Sequence, residues 1–594
     1  MKQKIRQWFS LMREKNARGI ILLFIILFNV ILWLISSVIA YLIAPEHYGN
    51  IITALWASGI TWMLEPGFYD PAVPIAIRII SILVILTSMI TFTGGIIGYV
   101  ANTFSNIIDN ANKGKTKLHL YHHIVILNWN HKALELIADY RYDDETTAIV
   151  ILSHHDKEVI ENEIKRKLFD VQDGNKKKLS IIVRHGEVFS KRDLMNICIE
   201  DSKTVVILSD EHELSTLTHK DMLSMKTLML VSNMNIKPHQ TILVEVKEHS
   251  SIGLINDYIA KHSRLNDQIL PLLPDELMGR LIAQTLLMPE LNQVYHELLS
   301  FEGAEFYTVK DIKPREFMEH HHYAIPIYSL GDTLYVLSSE SKDVERKREK
   351  PLHHYEPLTI NDQTRYHEKY IVIFGKNQKL PYILDSIRLY ERENHVKIHV
   401  SQMESNEASA IQSYTETIEH IDHILILSED NLDPSEYDSE VLVTLLMTQE
   451  LAKKHQAEII IELLDPKHFD IAQSYNVQNT IISNEYLSRL MTQLSKNRKL
   501  YPLFIDLLTY DEEGSEEETY EVYAYKAQDI LKHSFPISFP TKAQGIYTVF
   551  MSGNQDYVWI GTIKEGKLDI FKGNLDLDEP LIIFEEDLLV MICK

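Results

Sequence analysis

Glu65 is a lone carboxylate in the apolar stretch "ALWASGITWMLEPGFYD" (54–70), and it stands directly before the helix-breaking pair Pro66-Gly67. A carboxylate next to exposed backbone carbonyls, with Leu64 leading into the turn, is an oxygen-rich patch able to replace part of a cation's hydration shell. Two further groups of acids follow short β-branched runs. Asp210, Glu211 and Glu213 come after "KTVVILS" (203–209), and Glu429, Asp430, Asp433 and Glu436 come after "HILILS" (423–428). Several such oxygens at about 2.3–2.6 Å are what Ca²⁺ requires. Neither group has EF-hand spacing, and an acid-rich loop simply solvated by water is the alternative reading for both. The run "MEHHHY" (318–323) offers soft-metal donors, but three adjacent imidazoles do not readily share one ion. It reads as an exposed loop, as does the acid run "DEEGSEEETYE" (511–521).

The elements that position these residues begin with two apolar blocks. Residues 19–44 carry no charged side chain and exceed the roughly 20 residues that a helix needs to cross a bilayer. The block is too long for a signal-peptide core, and no small-residue cleavage site follows it. Residues 73–102 hold a single charge, Arg78, near one end where it can snorkel. Lys2, Lys4, Arg6, Arg13, Lys15 and Arg18 precede the first block, and Lys113, Lys115 and Lys117 follow the second. The positive-inside rule therefore expects two spans with both termini in the cytoplasm. Residues 50–70 become an apolar half-helix that re-enters the bilayer, which needs other protein or a water-filled cavity to satisfy its backbone. Several copies around an axis would supply both and would bring a ring of Glu65 carboxylates together. The bland alternative is an amphipathic loop on the outer membrane surface. No T-V-G-Y-G filter is present. In the second block Gly94, Gly95 and Gly98 either allow close helix packing or form a hinge.

Beyond Lys117 the pattern changes to β-branched runs alternating with helical stretches, the signature of βαβ units. The pattern is duplicated. "HIVILNWNHKALELIADY" (123–140) is echoed by "YIVIFGKNQKLPYILDSI" (370–387), "TILVEVKEH" (241–249) by "EIIIELLDPKH" (458–468), and "DELMGRLIAQTL" (275–286) by "NEYLSRLMTQLS" (484–495). The expected fold is an α-helical two-span membrane pore followed by two tandem α/β Rossmann-like domains. The expected divisions are a cytoplasmic N-terminus over 1–18, a pore unit over 19–112, α/β domains over 116–340 and 368–594, and a charged linker over 341–367. In a dinucleotide-binding member of this class the first strand would enter G-x-G-x-x-G, whose amides cradle the pyrophosphate. Here those positions hold Asn128, Trp129 and Asn130 in one copy and Gly375, Lys376 and Asn377 in the other. Nor does an acid close the second strand, which ends at Ser153-His154 and Ser401-Gln402. NAD is therefore not expected, and no catalytic residue is assigned.

A net charge of −24 argues against a nucleic-acid partner, whose phosphates demand a basic face. Two cysteines, Cys198 and Cys593, give no disulfide framework, so the bulk reads as cytosolic.

The order of pore segment, basic joint and paired α/β domains resembles that of channels with RCK (regulator of K⁺ conductance) domains, and more specifically the CASTOR/POLLUX ion-channel family. The matching residues are "ALWASGITWMLEPG" (54–67), "NKGKTKLHLYHHIVILNWNHK" (112–132), "IIVRHGEVFSKRDLMNICIEDSKTVVILS" (181–209) and "LLSFEGAEFY" (298–307). Pro66 and Phe68-Tyr69 depart from the family's usual filter residues. The resemblance implies a homotetramer in the cell membrane whose eight RCK-type domains form a gating ring beneath the pore. It implies conduction of cations, with K⁺ and Ca²⁺ both implicated, past an acid at the position of Glu65. In this chain Leu64, Glu65, Pro66 and Gly67 are the expected filter, and K⁺, Na⁺ and Ca²⁺ the candidate permeant ions. Ca²⁺ is the regulatory ligand the rim acids suggest. The competing reading is a membrane-anchored sensor that regulates a separate transporter, for which a re-entrant segment would have no use.

Overall fold

The computed structural model describes the chain apart from residues 1, 65–72, 113–115, 144, 171–178, 211–215, 266, 301–302, 321–322, 348–351, 353–355, 362–367, 404–410, 412–418, 430–433, 476, 478 and 511–518. Two compact units are present, Met1–Thr116 and Lys117–Lys594.

In the first unit one helix runs over Lys2–Ile43, and its part Leu23–Ile43 is long and apolar enough to cross a membrane. The Asn50 side chain caps a helix over Ile51–Trp56 by accepting from the Thr53 amide at 2.8 Å. That helix continues as a π-helix over Ala57–Leu64. A second apolar stretch, Ile75–Ser105, also suffices to span. It is built from helix Ile75–Ser88, a π-helical turn Met89–Thr93, and helix Gly94–Asn112. The interior mixes an apolar cluster that includes Ala40, Trp62 and Ile77 with polar side chains, and the exterior is apolar. Asn29, Ser36, Ser37, Ser58 and Ser88 are buried, while Leu23, Phe24, Leu34, Ile79 and Ile90 are exposed. Water would penalise such an apolar exterior, whereas lipid accepts it and leaves hydrogen bonding between helices to the polar groups. Thr91 Oγ1 donates to Asn29 Oδ1 at 3.0 Å, and Trp33 Nε1 donates to the Leu55 carbonyl at 2.9 Å, so all three segments are tied together.

The second unit holds two parallel sheets. The first comprises β1 (Ile124–Leu127), β2 (Ala148–Ser153), β3 (Ser180–His185), β4 (Thr204–Ile207), β5 (Thr241–Glu245) and β6 (Ile269–Leu272), in the order β3-β2-β1-β4-β5-β6. An antiparallel sheet of β7 (Glu305–Lys310), β8 (Ile325–Leu330) and β9 (Thr333–Ser338) follows it, in the order β7-β9-β8. Next comes β10 (Thr359–Ile360). The second parallel sheet has β11 (Lys369–Phe374), β12 (Ile398–Gln402), β13 (His423–Ile426), β14 (Glu458–Leu463) and β15 (Asn479–Ile482), in the order β12-β11-β13-β14-β15. The chain ends in antiparallel structure. β16 (Glu521–Lys526), β19 (Tyr557–Lys564), β20 (Lys567–Ile570) and β22 (Leu588–Cys593) form one sheet, while β18 (Ile537–Phe539) pairs with β21 (Leu581–Ile583). β17 (Leu531–Lys532) pairs with β10, which ties part of the stretch expected as a linker to the C-terminal lobe.

The central strand β1 is apolar and buried along its length, and β11 over 371–374, because both faces are covered, whereas the edge strands β3 and β12 carry polar, part-exposed residues. Ile124 and Ile126 enter one core and Val125 and Leu127 another; in β11, Ile371 and Ile373 enter that same first core while Val372 and Phe374 enter a third. The shared core arises from exchanged helix packing. The first helix of the first fold, His131–Asp139, lies against Ser483–Lys496, the last helix of the second. Leu380–Glu393 lies in turn against Pro274–Leu287. At that second crossing a Cβ on Gly279 would stand 2.8 Å from Tyr382 Cβ and 2.9 Å from the Lys379 carbonyl, so the close approach needs glycine.

Candidate functional site

Glu65, Pro66 and Gly67 lie outside the described residues. The backbone of Leu64 is the last residue of the π-helix that leads to them. Gly59 in this segment sits so close to the first span that a Cβ would come within 2.6 Å of Trp33 Nε1. Ser58 and Ser37 hydroxyls share a buried 2.5 Å hydrogen bond. These contacts seat the segment against the first helix by small residues and polar pairs rather than by large side chains.

The three glycines of the second span separate by environment. A Cβ on Gly95 would stand 2.9 Å from Ile25 Cδ1, whereas Gly98 has nothing within 4 Å and Gly94 meets only the Met89 carbonyl at 3.8 Å. Gly95 therefore permits helix packing. Gly94 and Gly98 carry no packing need within the chain; Gly94 directly follows the π-turn Met89–Thr93, a local unwinding of the kind that bends helices, and Gly98 lies about one helical turn beyond it.

In the cytosolic unit the loops after β1 and β11 are built alike. Asn128 has φ +72° and Gly375 φ +85° at the same turn, and a Cβ on Gly375 would lie 1.8 Å from the Leu427 carbonyl. Asn tolerates the left-handed region better than other side chains, and Asn128 Nδ2 donates to the Leu208 carbonyl at 2.9 Å. Trp129 is buried and donates to Glu163 Oε2 at 2.9 Å. Asn130 caps the following helix by accepting from the Ala133 amide, and its Nδ2 donates to the Ser209 carbonyl at 3.0 Å. Lys132 then reaches Glu245 at 3.1 Å. In the second copy Asn377 donates to Tyr437 at 2.9 Å and Lys379 reaches Glu462 at 3.1 Å, with Asp275 at 3.8 Å, while Lys376 is exposed. Burial alone would lower the Lys379 pKa, but the Glu462 and Asp275 carboxylates outweigh it and raise it. Where a pyrophosphate-binding loop presents bare amides, these loops turn an Asn and a Lys inward onto a fully buried carboxylate at the end of β5 or β14.

The three rim acids among the described residues stand in different surroundings. Glu211, Glu213, Asp430 and Asp433 lie outside the described residues. Glu436 is exposed in the first turn of helix Pro434–His455. Glu429 is exposed and lines a cleft of about 650 Å³ together with Lys376, Arg388 and Gln402, a mixed-charge setting rather than an acid cage. Asp210 is 7% exposed and faces His154 and His155, with Nε2-to-carboxylate distances of 3.6 and 3.5 Å. Sequence reasoning did not single out these two imidazoles as ligands. Their one signal was position, directly after β2 at the cleft end of the sheet, where ligands of doubly wound folds bind.

No protein-family model matches the chain. It is 20% identical over 585 residues to "Ion channel DMI1" of Medicago truncatula, covering 84% of this chain and 64% of that one. It is 26% identical over 261 residues to "Probable ion channel POLLUX" of Arabidopsis thaliana, covering 43% of this chain and 30% of the relative. The chain thus spans less than two thirds of the length of either plant relative. Over 281 residues it is 26% identical to "Calcium-gated potassium channel TvoK" of Thermoplasma volcanium, covering 46% of this chain and 71% of the relative. Among solved structures, the human SLO3 gating ring is 12% identical, covers 79% of this chain and 99% of its own, and superposes with a TM-score of 0.51. That likeness bears on the fold, which is of the RCK gating-ring type. By sequence the chain is a homologue of the CASTOR and POLLUX ion channels, matched over most of its length to DMI1 and CASTOR at about 20% identity.

Proposed function

We propose that this chain is the subunit of a homotetrameric cation channel in the cell membrane, opened or closed by a cytosolic ring of eight RCK-type domains. The observation that carries the reading is the joining, in one chain, of a helical unit with an apolar exterior and two helices long enough to span a bilayer to a pair of Rossmann folds of gating-ring type. The basic residues flanking the two spans favour cytoplasmic termini. In this reading the π-helix Ala57–Leu64 delivers Leu64, Glu65, Pro66 and Gly67 to the pore axis as the filter, passing K⁺, Na⁺ or Ca²⁺. Gly94 and Gly98 give the inner helix its bend. The α/β divisions are 116–340 and 368–594.

The ring's ligand is proposed to be a divalent cation, with Ca²⁺ first, since one relative is named a calcium-gated potassium channel. The inward-turned Asn130, Lys132, Asn377 and Lys379 speak against a dinucleotide in either loop. A ligand shifts a gate only by its differential affinity for the two states. A tenfold preference at each of four equivalent sites supplies roughly 5.5 kcal/mol, enough to move a gate from about 1% to about 99% open or the reverse.

The test is ion flux through the purified chain in liposomes, with cation and cytosolic Ca²⁺ varied, alongside the mass of the detergent-solubilised assembly. Flux that depends on the protein, from an assembly of four subunits, is expected. A protein that binds Ca²⁺ yet passes no ion would leave the membrane-anchored sensor as the better reading.

A further inference from the structure

We propose that His154, His155 and Asp210 form a binding site for a divalent transition-metal ion of the Zn²⁺ class, a cytosolic effector beyond the Ca²⁺ of the reading above. β2 ends at Ser153, and in an extended continuation the next two side chains would point to opposite faces of the sheet. The chain bends there instead. The Ser153 hydroxyl accepts from the His155 amide at 3.2 Å, and the His155 carbonyl lies 3.1 Å from His185 Nδ1 at the end of β3. Both imidazoles consequently lie on one side, with ring centroids 4.2 Å apart. The Asp210 carboxylate arrives from the end of β4 and offers one oxygen to each ring, Oδ2 to His154 at 3.6 Å and Oδ1 to His155 at 3.5 Å. One ligand atom from each residue falls within a 4.8 Å group.

Those two separations exceed the span of a good hydrogen bond. Each is close to the edge of a tetrahedron, about 3.4 Å, drawn around an ion with bonds of about 2.0–2.1 Å to nitrogen and oxygen. They run to different oxygens of Asp210, and with one donor atom per residue the group spreads to 4.8 Å, so an ion would draw the three side chains together by about 1 Å. The donor chemistry then selects the ion. Two imidazoles and one carboxylate suit Zn²⁺, Co²⁺ or Ni²⁺, whereas Ca²⁺ takes six to eight oxygens. Three protein donors leave a place for water or a further ligand, and His154, with 48% of its side chain exposed, gives the ion a way in. A bound ion would link the ends of β2 and β4, which flank β1 and its Asn128 loop in the cleft.

The full-length chain in detergent, stripped by a chelator, is titrated with Zn²⁺ and the bound metal is counted after dialysis. Co²⁺ is titrated in parallel and read by its visible ligand-field bands. Expected are one ion per chain, Co²⁺ bands of tetrahedral intensity, and affinity lowered by about tenfold or more in His154→Ala, His155→Ala and Asp210→Asn. Excess Ca²⁺ should not displace the ion. A triple His320→Ala, His321→Ala, His322→Ala variant should retain it, which separates this site from the histidine run. Should His155→Ala fail to fold, His154→Gln, at the more exposed ring, carries the same expectation. Unchanged Zn²⁺ affinity in His154→Gln and Asp210→Asn, or loss of the ion only in the triple variant, would overturn the assignment. Because binding is read directly, the outcome does not depend on whether the chain conducts.

Discussion

Asp139 Oδ2 accepts a 2.6 Å hydrogen bond from Ser488 Oγ, joining the first helix of one Rossmann fold to the last helix of the other. The carboxyl is almost wholly enclosed at this contact, with Glu135, Glu485 and Arg489 as its charged neighbours. Burial pushes its pKa up from 3.8 to about 7, the Ser488 bond and Arg489 opposing and the two glutamates adding to the rise. Below about pH 4 the proton is held in folded and unfolded chains alike. Between about pH 4 and 7 the unfolded chain ionises while the folded one keeps its proton, so stability falls as pH rises, and the loss levels off above that window. The full effect is on the order of 4 kcal/mol. Asp139→Asn should therefore melt higher than the wild type at about pH 8 and coincide with it near pH 4. Parallel melting curves across that range would refute the assignment.

Lys379 is the counter-charge of a fully buried Glu462. Removing one partner of such a pair strands the other, at a cost of about 3–5 kcal/mol. Lys379→Met is expected to lower the melting temperature of the cytosolic unit markedly. Adding Glu462→Gln, which keeps hydrogen-bonding capacity for Asn377, Tyr437 and Ser483 without the charge, should recover part of the loss. If the double variant were no more stable than the single, the cost would lie in packing rather than in charge.

Gly95 and Gly98 should respond oppositely to a methyl group. Gly95→Ala presses on Ile25 and should weaken the contact between the spans, seen as lower thermal stability in detergent. Gly98→Ala meets no neighbour and adds about 1 kcal/mol of helix propensity, so yield and stability should hold while gating shifts. Identical flux from Gly98→Ala and wild-type liposomes would remove Gly98 as a hinge.

Glu65→Gln deletes one negative charge per subunit from the proposed filter. Divalent block or permeation should fall while monovalent flux persists, because a carboxylate ring acts most strongly on the ion of higher charge. Equal permeability ratios in the two channels would place Glu65 outside the conduction path.

The two spans and the duplicated βαβ units are legible in local pattern alone, since charge-free length and two-sided apolar strands are properties of contiguous residues. The repeat even aligns Gly279 with Ser488 and Ser386 with Asp139. Only folding makes the paired helices cross, so that Ser488 serves the Asp139 carboxyl there while Gly279 admits Tyr382 and Lys379. In the antiparallel sheets the two-residue turns Gly331-Asp332 and Glu565-Gly566 mark the hairpins β8-β9 and β19-β20, but the pairing of β7 with β9 and of β16 and β19 with β22 joins strands far apart in the chain and is set by folding. Side chains in the phosphate-loop positions are readable, but not that Lys132 and Lys379 turn inward to Glu245 and Glu462, residues far along the chain. The same limit hides the partners of Asp210. Its neighbours in sequence are acids, whereas the parallel register β2-β1-β4 brings it His154 and His155 from another strand end, a contact set by sheet order rather than by sequence spacing.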